Sequence, residues 1–154
     1  MKKILIITFV LFLSGCSSTL KRGGSASSPS DEKTNDLLLY AMSLADTPYR
    51  YGGSNTEDGF DCSGFVGHVY KQTLNISLPR TSAEISREGK AISNNEVQPG
   101  DLVFFNTRHR AYSHVGIYVG EGKFIHAPKT GSRIKVDNMK DYWLSRYSGA
   151  RRIY

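Results

Sequence analysis

Cys62 is the side chain in this sequence with the most chemistry open to it. It stands in the run Gly59-Phe60-Asp61-Cys62-Ser63-Gly64-Phe65-Val66. Asp61 is a good helix N-cap, and Phe65, Val66 and Val69 follow as a buried stripe. A thiol in the first turn of a helix faces unpaired backbone N–H groups, which favour the thiolate and so nucleophilic attack. Gly59 and Gly64 flank it and let another backbone approach closely. The plainer reading of the same thiol is a small buried hydrophobe. From these residues alone both readings stand.

A nucleophilic thiol needs a base. His68 follows Cys62 by six residues on the same predicted helix, out of phase with it, and reads as a packing or surface residue. His109, between Arg108 and Arg110, reads as exposed. His114 opens the alternating run His114-Val115-Gly116-Ile117-Tyr118-Val119, and His126 closes Lys123-Phe124-Ile125-His126. Gly120-Glu121-Gly122 between them suits a three-residue hairpin with Gly122 left-handed. Val119 then pairs with Lys123, Tyr118 lies beside Phe124, and Gly116 lies opposite His126. That register puts both histidines on one face as diagonal neighbours, about 7–8 Å apart in backbone. Gly116 leaves room for the rings to meet. A two-residue loop would put them on opposite faces.

In that arrangement His114 takes the Cys62 proton and later protonates a leaving amine, while His126 holds one ring nitrogen of His114. Two other readings are open. The histidines are unrelated polar strand ends, or Cys62, His114 and His126 bind zinc, although the sequence has no short-spaced ligand pair.

These residues need a helix and a sheet to hold them. Leu37, Leu38, Ala41, Leu44 and Ala45 predict a first helix over about 35–46, with Pro48 beyond it. Residues 47–61 carry Pro48, Gly52, Gly53 and Gly59 and read as a loop. The Cys62 helix runs to about Leu74. Thr81-Ser82-Ala83-Glu84 matches a capping box, so a short helix follows and ends at Gly89. After Pro99-Gly100 the period changes to two, with strands expected over 101–105, 114–119, 123–127, 133–136 and 151–154. Helices first and a meander of strands afterwards predict an α+β fold with an antiparallel sheet.

The chain has 154 residues, enough for one domain and a core that needs no disulfide scaffold. With 39% hydrophobic and 22% charged residues it is neither fibrous nor mostly disordered. Its formal charge is +6, but the basic residues form no recognisable nucleic-acid module, so no nucleic-acid partner is expected. Met1-Lys2-Lys3 and the apolar run Ile4–Leu13 have the form of a signal peptide, too short for the roughly 20 residues a membrane-spanning helix takes. Leu13-Ser14-Gly15-Cys16 then resembles the lipobox of bacterial lipoproteins. The resemblance implies cleavage after residue 15 and a lipid, palmitate included, on Cys16. Ser17 in the next position resembles the sorting signal for the outer membrane. The Ser- and Gly-rich stretch after it reads as a flexible tether, giving a signal peptide over 1–15, a lipidated tether over 16–34 and a folded domain over 35–154.

Five blocks in order are similar to the NlpC family of papain-like cell-wall cysteine peptidases. They are Asp61-Cys62-Ser63-Gly64-Phe65-Val66, Leu78-Pro79-Arg80-Thr81-Ser82, Pro99-Gly100-Asp101-Leu102-Val103-Phe104-Phe105, His114-Val115-Gly116-Ile117-Tyr118 and Phe124-Ile125-His126-Ala127. Among its members the chain most resembles the lipid-anchored, single-domain Gram-negative ones. The resemblance implies a papain-like core, with the Cys-bearing helix on an antiparallel sheet of five to six strands. It implies hydrolysis of an amide bond in peptidoglycan stem peptides or cross-links by a monomer at the periplasmic face of the outer membrane. The means would be a Cys-His-His triad and a thioester acyl-enzyme, with no cofactor or metal.

Position by position, the resemblance makes Cys62 the nucleophile, His114 the base and His126 the third residue. Tyr49, in Tyr49-Arg50-Tyr51-Gly52-Gly53, would turn its hydroxyl toward the oxyanion beside the backbone N–H of Cys62, although a loop anchor explains it equally. Asp61 and Ser63 match positions lining the substrate groove, and N-capping alone also accounts for Asp61. Arg80 matches another groove residue that could meet a substrate carboxylate. The alternatives are a related amidase or acyltransferase, or a non-catalytic peptidoglycan-binding lipoprotein.

Overall fold

In the computed structural model, which describes residues 28–154, the first helix is set by a reciprocal cap. The Ser28 hydroxyl accepts from the Asp31 backbone N–H at 3.2 Å, and the Asp31 carboxylate accepts from the Ser28 N–H at 3.1 Å. Helix α1 therefore spans Pro29–Ser43 and starts ahead of the 35 expected from its apolar spacing. The cap lies in a polar stretch that contributes nothing to that spacing. Leu37, Ala41 and Leu44 are its buried face. The expected signal peptide, the lipidation of Cys16 and the tether up to residue 27 lie outside the described residues.

The expected loop between the first two helices carries a small ladder, β1 (Ser54–Asn55) against β2 (Gly59–Phe60). Two residues per strand are too few to show a period in sequence. Asn55 shapes the turn, its side-chain oxygen accepting from the backbone N–H of Glu57 and of Asp58. Helix α2 spans Cys62–Leu74 and stops at Asn75, which is left-handed at φ 57°. Helix α3, Ser82–Ile85, has the expected Thr81–Glu84 capping box and ends well before Gly89.

The sheet is antiparallel with six strands: β3 (Lys90–Ile92), β4 (Leu102–Phe105), β5 (His114–Gly120), β6 (Lys123–His126), β7 (Lys135–Asn138) and β8 (Tyr147–Arg152). Their order is β3-β8-β4-β5-β6-β7, so the C-terminal strand enters between β3 and β4 and the run is not a pure meander. The short, largely exposed edge strand β3 carries no apolar alternation and was not expected. β7 sits two residues later than expected, and β8 starts four residues earlier.

β4 is buried on both faces. Leu102 and Phe104 join Phe65, Val66, Val69, Val115 and Ile117 in the core beneath α1 and α2. Val103 and Phe105 join Phe124 and Ala150 on the other face, covered by Trp143 and Tyr147. The fold is thus α+β, a helix packed on an antiparallel sheet. Among the described residues no helix is long and apolar enough to cross a membrane.

Candidate active site

The site forms where the first turn of α2 meets the first residues of β5. Asp61 fixes that turn, its carboxylate accepting from the Gly64 N–H at 2.8 Å and from the Ser63 hydroxyl at 3.1 Å. A Cβ on Gly64 would run into the Gly53 carbonyl, so only glycine lets the preceding arm lie against α2. Cys62 then sits at the start of the helix. The backbone N–H groups of Ser63, in the same turn, and of Val115, in β5, both favour its thiolate.

His114 and His126 meet as the hairpin register requires. Ile117 pairs with Ile125 and Tyr118 with Phe124. The turn itself has a different build from the expected one. Glu121 and Gly122 are both left-handed, at φ 52° and 68°, as in a two-residue type I′ turn, and a register shift between Tyr118 and Gly120 absorbs the extra residue. The shift restores the register, so both histidines stay on one face. Nε2 of His114 lies 2.7 Å from Nδ1 of His126. Gly116 makes the approach possible, because a Cβ there would stand 2.6 Å from the Phe124 ring and 3.1 Å from the His126 Cβ.

The hydrogen-bond chain continues beyond the two imidazoles. Nε2 of His126 lies 3.1 Å from the Asp137 carboxylate. The same carboxylate oxygen accepts from the Trp143 indole N–H at 3.2 Å, and the other is 2.9 Å from Lys135 Nζ. Trp143 also lies against the His114 ring, with centroids 5.4 Å apart and planes 27° from parallel. Both imidazoles are buried, His126 completely.

The electrostatics favour an uncharged pair at rest. Burial pushes the Cys62 thiol up, the Asp61 carboxylate adds to that, and the two backbone N–H groups oppose it without winning. The thiolate expected from the helix start is therefore outweighed. Burial, then His126 and Arg108, hold His114 well below the ordinary histidine range. Burial lowers His126 too, against the pull of Asp137. The Asp137 carboxyl is held far below its usual value by the hydrogen bond from His126 and by Lys135.

Cys62, His114 and Tyr49 all face a cavity of about 550 Å³, which Tyr51, Arg108, Lys129, Lys135 and Trp143 help to line. Burial and the neighbouring Cys62 and Asp61 raise the Tyr49 hydroxyl, so it stays a proton donor. Asp61, Ser63 and Arg80 form a separate cluster outside the cavity lining. The guanidinium of Arg80 spends its terminal N–H groups on both Asp61 oxygens, on Ser63 Oγ and on the Gly53 carbonyl. His68 packs on Tyr40 and bonds its hydroxyl at 2.9 Å, and His109 is exposed. The imidazole nitrogens that face each other are committed to a mutual hydrogen bond, and among the described residues no group of three or more His, Cys, Asp or Glu is placed to hold a metal.

The model of the NlpC/P60 family matches residues 46–152. The chain belongs to the NlpC/P60 family. The murein DD-endopeptidase MepH of Escherichia coli (strain K12) is 48% identical over 110 residues, covering 69% of this chain and 41% of MepH. A probable endopeptidase of Haemophilus influenzae (strain ATCC 51907 / DSM 11121 / KW20 / Rd) is 36% identical over 159 residues, covering 99% of this chain and 98% of the relative. The crystal structure of an NlpC/P60 family protein from Bacillus cereus ATCC 10987 superimposes with a TM-score of 0.72 at 33% identity, over 77% of this chain and 39% of that one. The match with MepH thus spans less than half of MepH's length.

Within this NlpC/P60 domain the sequence reading missed Asp137, Trp143, Lys135 and Arg108. Asp137 was within reach. β6 and β7 pair with Phe124 opposite Asp137, which puts that carboxylate on the histidine face. The strand expected there stopped at Val136, one residue short. Arg108 lies in the polar loop before β5, where no periodicity places it, and its guanidinium stands 5.8 Å over the ring of Tyr51.

Proposed function

We propose that this chain is a peptidoglycan endopeptidase that hydrolyses an amide bond in stem peptides or cross-links through Cys62, His114 and His126. The 2.7 Å contact between His114 and His126, at a cavity that also exposes the Cys62 thiol, carries the reading. His114 spends Nε2 on His126, which leaves Nδ1 for the thiol. As the sulfur attacks the carbonyl carbon, its proton passes to Nδ1 of His114. The Tyr49 hydroxyl and the backbone N–H of Cys62 serve the oxyanion. Collapse expels the amine, which takes the proton from His114 and leaves a thioester on Cys62. Water, deprotonated by His114, then hydrolyses the thioester and restores the thiol. Uncharged partners suit this sequence, because the base must be unprotonated before attack.

Arg108, Lys129 and Lys135 at the cavity give it a basic lining, which fits peptides that carry carboxylates. MepH is a murein DD-endopeptidase, so a D,D cross-link is the first bond to assay. The chain would act as a monomer, held at the periplasmic face of the outer membrane by a lipid on Cys16, a reading supported by the Leu13-Ser14-Gly15-Cys16 motif and Ser17. The test is mass spectrometry of purified cross-linked muropeptides incubated with the protein and with Cys62→Ala. New termini at one peptide bond, formed only by the protein with its thiol, are expected. A Cys62→Ala chain that keeps its cellular function would favour a non-catalytic binder instead.

A further inference from the structure

We propose that Asp137 is a positioning residue for this reaction: it fixes His126 in the tautomer protonated at Nε2, and so keeps Nδ1 of His114 free to take the thiol proton. The inference rests on the Cys62, His114 and His126 reading. Its observation is separate, a hydrogen-bond chain that runs past His126 to a fixed carboxylate. An ionised carboxylate only accepts, so the 3.1 Å contact from Asp137 requires a proton on Nε2 of His126. A neutral imidazole has one N–H, so Nδ1 of His126 is bare and accepts at 2.7 Å. The donor in that contact must be Nε2 of His114, which leaves the His114 proton off Nδ1. One anion at the far end of the chain thus sets the proton on both rings.

Without that anion the opposite arrangement has the same number of hydrogen bonds between the rings. His126 would donate from Nδ1, His114 would accept at Nε2, and the single His114 proton would sit on Nδ1, the nitrogen that must be bare to take the thiol proton. That tautomer cannot act as the base. Asp137 is itself held, since Trp143 donates to one oxygen and Lys135 approaches the other. His126 is fully buried, so no solvent competes for its second nitrogen.

The charge reaches further than the tautomer. When the proton lands on His114 the pair becomes cationic, and Asp137 is the anion placed to stabilise it. The charged or titratable groups facing the imidazoles are Cys62 from α2, Arg108 from the loop before β5, and Lys135 and Asp137 from β7. Asp137 raises both imidazoles, Arg108 lowers His114 and Lys135 lowers His126. Removing Asp137 should therefore make His114 harder to protonate.

The test uses Asp137→Asn, which keeps the shape, and Asp137→Ala, each alone and combined with His126→Ala. Nitrogen-15 NMR of histidine-labelled resting protein should find His126 protonated at Nε2 in the wild type and at Nδ1, or mixed, in Asp137→Asn. On a soluble cross-linked muropeptide, kcat should fall about tenfold with KM little changed. The acid limb of kcat/KM should move to lower pH, a change that a merely structural role would not make. In the His126→Ala background Asp137→Asn should cost nothing further. A wild-type His126 protonated at Nδ1, or a kcat and acid limb in Asp137→Asn equal to wild type, overturns the proposal. Turnover that survives His114→Ala overturns the triad reading itself. Turnover lost in His114→Ala but unchanged in Asp137→Asn overturns the positioning role alone.

Discussion

Arg80 and Asp61 form a two-pronged ion pair, with guanidinium nitrogens 2.9 and 2.8 Å from the two carboxylate oxygens, directly before the residue that carries the thiol. The same carboxylate caps α2. The pair therefore braces the helix start on which Cys62 sits, and the guanidinium is already occupied. Its side chain is 47% exposed while that of Asp61 is 14% exposed, so solvent weakens the pair and the buried end sets its value.

Burial works against ionising Asp61, and the hydrogen bonds from Arg80 and Gly64 overcome it, leaving its carboxyl below the ordinary range. A carboxyl lowered by folding adds stability above its unfolded pKa, near 3.9, and loses that contribution as pH falls through the folded value. Arg80→Ala should therefore cost about 1 kcal/mol at pH 7. The gap from wild type should close as pH drops below the carboxylate range. Urea unfolding at pH 7 and pH 3 checks this, and a gap of equal size at both pH values would show that Arg80 acts through packing.

Cys62 should label slowly at neutral pH. Burial raises the thiol and lowers the imidazole, so the free protein holds few thiolate–imidazolium pairs. The rate of iodoacetamide labelling should climb with pH as a single titration above the usual cysteine value, about 8.5. A plateau already reached below pH 7 would mean that the ion pair is the resting state. The kcat/KM acid limb should lie below the ordinary histidine pKa of about 6.5, since protonating His114 removes the base.

Gly116 should tolerate no side chain. In Gly116→Ala the new methyl would crowd the Phe124 ring, the Ile125 carbonyl and the His126 Cβ on the strand opposite. Overpacking of this kind costs about 1–3 kcal/mol. The displaced His126 should also lower kcat at temperatures where the variant remains folded. A wild-type melting temperature for Gly116→Ala would show that the hairpin has slack at the histidine pair.

What could be read from the sequence depended on how local the signal was. Asp61 and the apolar stripe after it placed the Cys62 helix, because a cap and its helix lie within one short run of residues. Alternation from His114 to His126 put the two imidazoles together, although Glu121 and Gly122 form a tighter turn than expected and the bulge beside them repairs the register. Contacts between distant segments left no such trace. Arg80 reaches Asp61 across 19 residues, and Arg152 from the C-terminal strand pairs with the buried Asp101 across 51. Lys90–Ile92 becomes a strand only because Ala150, Arg151 and Arg152 lie beside it. The start of α1 is local but polar, so apolar spacing does not reveal it.

That start leads to a test of the domain boundary. The expected domain begins at Asn35, yet α1 is capped by Ser28 and Asp31, and the Thr34 hydroxyl lies 2.9 Å from that of Tyr154 at the other end of the chain. A chain beginning at Ser28 keeps the helix cap and the link to Tyr154. One beginning at Asn35 keeps Leu37, Ala41 and Leu44 against the core but loses both the cap and the link. An N-cap is worth about 1 kcal/mol and an exposed hydrogen bond no more than that. The chain from Asn35 should therefore melt several degrees below the chain from Ser28. The chain from Ser28 should match one beginning at Ser17. Activity on soluble muropeptides should be the same for all three at temperatures where each is folded, because the cavity is lined from Tyr49 to Trp143 and none of α1 reaches it. Equal melting of the chains from Ser28 and Asn35 would restore the later boundary. A loss of activity without a loss of fold would mean that the first turns of α1 act on the site.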